Sequence, residues 1–122
     1  MSGLRSFRDL EVWKKSIDLA EAIYRASSGW PSDERFGLIQ QIRRAAASIP
    51  ANVAEGAERQ GTREFLQFLG VAKGSLAEVE TFLVLAERLS YLSQEAAAGL
   101  RSQAADVGRM LSGLTRSLRS KL

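Results

Sequence analysis

Apolar residues return along this chain at three- and four-residue steps, the spacing that keeps one face of a helix oily. Leu10, Trp13, Ile17, Ala20 and Tyr24 mark the first such stripe. Gly29 and Pro31 in SSGWPSDE end it, and Ser32 or Asp33 is placed to cap the next helix, with Glu34 favouring its positive end. A second stripe follows at Ile39, Ile42, Ala46, Ile49, Val53 and Ala57, after which Gly61 and Thr62 close one helix and open another. The third runs through Phe65, Leu69, Ala72, Leu76, Val79, Leu83 and Ala86. It is wider than one stripe, because Phe68, Val71, Phe82 and Leu89 fall on an adjoining face. In the turn LSYLSQE, Ser93 is the expected N-cap of a last helix, where Leu100, Ala104, Val107, Leu111, Leu114 and Leu118 form a heptad seam. No useful run alternates as a strand would. Four amphipathic helices with short connections predict an all-α fold, an antiparallel up-down four-helix bundle, as one domain over residues 1–122.

Pro50 interrupts the second stripe. A proline inside a helix removes one amide donor and crowds the carbonyl four residues back, at a cost of roughly 3 kcal/mol. Yet Ile42, Ala46 and Ile49 before it stay in phase with Val53 and Ala57 after it. One kinked helix carried through the proline is therefore expected. Beside it, Gln41, Ser48, Asn52, Glu55 and Arg59 fall within about 80° of one another on the helical wheel. They read either as a polar site with Glu55 as a base, or as a hydrogen-bonded seam that satisfies groups loosened by Pro50, with Asn52 setting register.

Composition favours the seam. The 122 residues contain no cysteine and no histidine, so thiolate chemistry is excluded and the commonest general base and metal ligand are missing. Glu55, Glu58 and Glu64 stand among Arg59 and Arg63, and no Glu-x-x-His pair for a di-metal bundle can be made. A non-enzymatic protein without metal or cofactor is expected. No segment approaches the apolar length of a membrane helix or a signal peptide, which makes cytoplasmic the default expectation. A net charge of +3 and a pI of about 9.7 are mildly basic and compatible with nucleic acid.

The stretch SIPANVAEG, residues 48–56, closely resembles the S-I-x-A-N-I-A-E-G signature of the four-helix-bundle proteins encoded in intervening sequences of large-subunit ribosomal RNA genes. FRDLEVWKKSIDLAEAIY, WPSDERFGLIQQIRRAA and EFLQFLGVAKGSLAEVETFLVLAERLSYL match in the same order, so the resemblance covers roughly residues 7–92. It implies a four-helix bundle that assembles as a homopentamer, with no catalytic residues to carry over. A related branch, the accessory variability determinant of diversity-generating retroelements, is a basic pentamer that binds nucleic acid and works with a reverse transcriptase. The resemblance thus suggests RNA, DNA and a reverse transcriptase as partners, although this chain is less basic.

Two functions fit these residues. On the fourth helix Arg101, Arg109, Arg116 and Arg119 project into a sector about 80° wide, while Glu95 and Asp106 point elsewhere. Such a stripe can neutralise backbone phosphates of RNA or DNA without reading sequence. No aromatic residues interleave with it, so base stacking is not indicated. The alternative is a structural or protein-partner scaffold. Phe68, Val71 and Phe82 are the expected oligomer interface under either reading, because a lone bundle would leave them partly exposed.

Overall fold

The computed structural model describes residues 6–122. A short 3-10 turn, Phe7–Asp9, leads into α1 (Glu11–Ser27); a second, Ser32–Glu34, precedes α2 (Leu38–Glu58). The chain continues through α3 (Thr62–Arg88) and α4 (Gln94–Arg119). Helices next to one another in sequence pack together, α4 returns against α1, and α1 with α3 and α2 with α4 lie on the diagonals. This is the antiparallel up-down bundle, with no strand among the described residues. Leu19, Ile23, Ile42, Ile49, Val53, Leu69, Val79, Leu83, Val107 and Leu111 are sealed in its centre.

Each expected helix is present, but the stripes are read with unequal success. All seven residues of the α3 stripe are buried. The α4 seam is buried too, except for Leu114, which is half-buried. In α1 the stripe is displaced. Ile17 and Tyr24 are 39% and 44% exposed, and the core face is Val12, Ser16, Leu19, Ala20, Ile23 and Ser27. Two serines hide that face in the sequence. They can be buried because the Ser16 hydroxyl donates to the Trp13 carbonyl at 2.9 Å and the Ser27 hydroxyl to that of Tyr24 at 3.3 Å.

α2 runs unbroken through Pro50. It begins later than the serine and aspartate caps imply. Ser32 and Asp33 belong to the 3-10 turn, and Glu34 caps α2 from outside, its carboxylate accepting the Leu38 amide at 3.1 Å. The same carboxylate accepts the Tyr91 hydroxyl at 2.8 Å, which ties the α1–α2 and α3–α4 connections together. These bonds hold the Glu34 carboxyl below its usual range, the tyrosine contributing most and the amide next. Tyr91 is held above its usual value by the same bond and by burial.

α3 ends as a Schellman motif, with the Tyr91 amide donating to the Ala86 carbonyl at 2.9 Å and the Ser90 amide to that of Glu87 at 3.0 Å. Ser90 takes the left-handed conformation usually given to glycine, at φ 63°. The Ser93 hydroxyl then caps α4 by accepting the Ala96 amide at 3.0 Å, as expected.

Candidate nucleic-acid interface

The four arginines of α4 are all exposed, but they are not equally available. Arg101 reaches across to Glu87 of α3 and Arg109 back one turn to Asp106, each as an ion pair. The wheel puts Asp106 outside the arginine sector, yet an arginine side chain is long enough to span the gap to a residue three positions away. Surface pairs of this kind stabilise by about 0–1 kcal/mol and leave little net field. Arg116 and Arg119 have no carboxylate partner among the described residues. Lys121, which the helical wheel does not single out, follows them and is likewise exposed and unpaired. Free positive charge therefore gathers at the C-terminal end of α4. A cavity of about 350 Å³ opens at the same end, lined by Lys121 and Arg59 together with Glu58, Phe7, Thr62 and Phe65.

The polar group on α2 is a helix-to-helix contact. Ser48 lies at its centre: its hydroxyl accepts from the Asn52 amide group at 2.9 Å and from the Ser75 hydroxyl of α3 at 2.9 Å. Asn52 donates to the Ser48 carbonyl as well, at 2.8 Å. The carbonyl that Pro50 deprives of a donor is that of Ala46, four residues back, so Asn52 does not repair the proline's loss. Nor does Asn52 itself bridge the helices; the link to α3 is made by Ser48 and Ser75. Glu55 turns outward and pairs with Arg59 at 3.0 Å, and the Arg59 guanidinium lies 5.0 Å from the centre of the Phe68 ring.

Gly56 completes this contact. A Cβ there would stand 2.8 Å from Phe68 Cβ and 2.9 Å from Phe65 Cδ1, so α2 and α3 touch backbone to side chain at this point. Phe68, which meets Gly56, is half-buried within the bundle, as is Phe82, and of the three expected interface residues only Val71 is largely exposed, at 52%. Leu85 and Leu89 join it on the outside. Leu85 was legible in principle, since Phe68, Val71, Ser75, Glu78, Phe82, Leu85 and Leu89 keep a strict three-four spacing.

Among the described residues, no helix is long and apolar enough to cross a membrane. Fold and surface together define a class: a small antiparallel bundle with a basic helix end and a second apolar seam on one helix. The chain belongs to the 23S rRNA-intervening sequence protein family, whose profile it matches over residues 8–113. The retroelement branch is not part of that match. A solved structure from Bacteroides thetaiotaomicron, a protein of unknown function from the S23 ribosomal protein family, is similar in fold with a TM-score of 0.80. It is 24% identical, over 86% of this chain and 95% of that one. Among curated proteins none matches.

Proposed function

We propose that this chain is a non-enzymatic oligomer, of five copies by resemblance to its relatives, that binds RNA or DNA through backbone phosphates. The observation that carries the reading is the cationic end of α4, where Arg116, Arg119 and Lys121 are exposed together without an ion-pair partner among the described residues. Membership in a family named for ribosomal RNA intervening sequences supports RNA as the first ligand to test. A symmetric assembly repeats the patch around its axis, so weak single contacts add into a strong field. Binding of this kind is non-specific in sequence and falls steeply with salt as counterions are released.

Fluorescence anisotropy with labelled RNA and DNA of unrelated sequences, titrated across salt, tests it. Arg116→Gln with Arg119→Gln is expected to weaken binding to every sequence alike and to flatten the salt slope. The fourfold variant Glu87→Gln, Arg101→Gln, Asp106→Asn and Arg109→Gln, which deletes both ion pairs without changing net charge, is expected to do much less. Equal effects from the double and the fourfold variant would contradict the assignment to the C-terminal end. No binding by the parent at low salt would leave the scaffold reading in its place, with the exposed seam of α3 as its working surface.

A further inference from the structure

Two apolar stripes remain uncovered, and they lie on different faces of the bundle. The first is the outer edge of the α3 seam: Val71 at 52%, Leu85 at 43% and Leu89 at 46% exposed. It borders α2, because Phe68 and Ser75 of the same seam meet Gly56 and Ser48. The second is on α1, where Ile17 and Tyr24 stand outward. It borders α2 from the other side, since Arg43 of α2 lies over the Tyr24 ring at 4.8 Å and donates to the Tyr24 carbonyl at 3.0 Å. As α1 and α3 are diagonal, neither stripe can cover the other within one chain.

A two-fold contact would pair one stripe with itself and leave the second in water; a head-to-tail contact covers both with a single interface. Charge favours the mixed pairing. Glu78 sits within the α3 seam, exposed and without a cationic partner among the described residues. The α1–α2 face offers Arg43, which has hydrogen-bond acceptors but no carboxylate. Two α3 seams facing each other would oppose glutamate to glutamate.

We propose that the α3 seam of one copy seats on the α1–α2 face of the next copy, with Val71, Leu85 and Leu89 against Ile17 and Tyr24, and Glu78 towards Arg43. The inference rests on the oligomeric reading above and adds its geometry. In a four-helix bundle the faces on either side of one helix look out at about 90° to each other. Neighbours in a closed ring of five meet each subunit at about 108°, and in a ring of four at about 90°. The pairing therefore closes into a small ring with α2 turned to the axis. The diagonal helix, α4, then faces outward, which leaves Arg116 and Arg119 on the rim where a long polyanion can reach them.

The chain has no cysteine, so introduced thiols report without background. Three single variants, Val71→Cys, Leu89→Cys and Ile17→Cys, and the two doubles that join either seam residue to Ile17→Cys, would be treated with a short flexible bis-maleimide. Light scattering would fix the assembly of each beforehand. The expected result is a denaturing-gel ladder of cross-linked copies from at least one double, ending at the ring number, with every single variant uncross-linked. Dimers from Val71→Cys or Leu89→Cys alone would show the seam pairing with itself and overturn the proposal. An oligomer whose doubles both stay uncross-linked would overturn it too, placing the contact elsewhere. A monomeric parent would instead remove the oligomeric reading on which the proposal stands.

Discussion

Replacing Gly56 by alanine is expected to destabilise this protein, although the same replacement at Gly99 should stabilise it. Both glycines are helical, and the backbone at neither requires a positive φ. Alanine in a helix interior is favoured over glycine by about 1 kcal/mol. At Gly99 nothing lies within 4 Å of the added methyl, so most of that gain should be kept. At Gly56 the methyl would meet Phe68 Cβ at 2.8 Å, Phe65 Cδ1 at 2.9 Å and the Phe65 carbonyl oxygen at 3.3 Å. A ring edge can turn aside, but a Cβ moves only with its backbone, so α2 and α3 must separate. Overpacking costs typically 1–3 kcal/mol, and a contact this close to the backbone belongs in the upper half of that range. After the propensity gain, which is smaller in the last turn of α2, the net loss at Gly56 is about 1–2 kcal/mol. The two variants should therefore differ by about 2–3 kcal/mol. Thermal unfolding followed by circular dichroism, at matched protein concentration because the proposed assembly would couple to stability, would show melting temperatures roughly 10 °C apart. Equal stability of the two variants would refute the close approach of α2 and α3 at Gly56.

Ser90 carries a left-handed backbone that costs a non-glycine residue roughly 1 kcal/mol; Ser90→Gly should raise the melting temperature by about 4 °C in the same assay. Glu34 is held below its usual range by the Tyr91 hydroxyl and the Leu38 amide, so its contribution is present above the unfolded glutamate value of about 4.3 and is lost as pH falls through the lowered native value. The acid limb of a melting temperature–pH curve should be shallower in Glu34→Gln than in the parent. Tyr91 is shifted the other way, upward, so what it contributes is present below about pH 10 and fades as pH rises through its raised native value. An alkaline limb unchanged in Tyr91→Phe would contradict that bond.

Helix number, order and three of the four core stripes were legible because burial here follows spacing. α3 shows this best: every residue of its three-four pattern from Phe65 to Ala86 is buried. α1 escaped the same logic. Its true face includes Ser16 and Ser27, which look polar in a sequence but spend their hydroxyls on carbonyls three residues back. The start of α2 escaped it for a related reason, since the cap is a glutamate outside the helix rather than a serine or aspartate at its edge. The basic stripe was legible as an angle and misleading as a field. Spacing places four arginines in one sector, but only packing brings Glu87 of α3 beside Arg101.

The segment SIPANVAEG shows where function should and should not be sought. Ser48 and Gly56 are eight residues apart, close to two turns, and both meet α3: one by a hydroxyl bridge to Ser75, the other by admitting Phe65 and Phe68. Ile49, Pro50 and Val53 between them are buried, and Asn52 binds back to Ser48. Glu55 spends its charge on Arg59, which in turn lies over Phe68. Most of these residues are thus accounted for by the fit of α2 into the bundle. A chain that holds α2 this firmly against α3 also fixes the relation between the two faces that flank α2. Those are the faces carrying Ile17 and Tyr24 on one side and Val71, Leu85 and Leu89 on the other. In the proposed ring, the angle between them would decide how many copies close it. In the ring proposed above, the signature would act at a distance: it would hold constant the corner about which the copies turn, and the proposed phosphate contacts would fall to the exposed charges of α4.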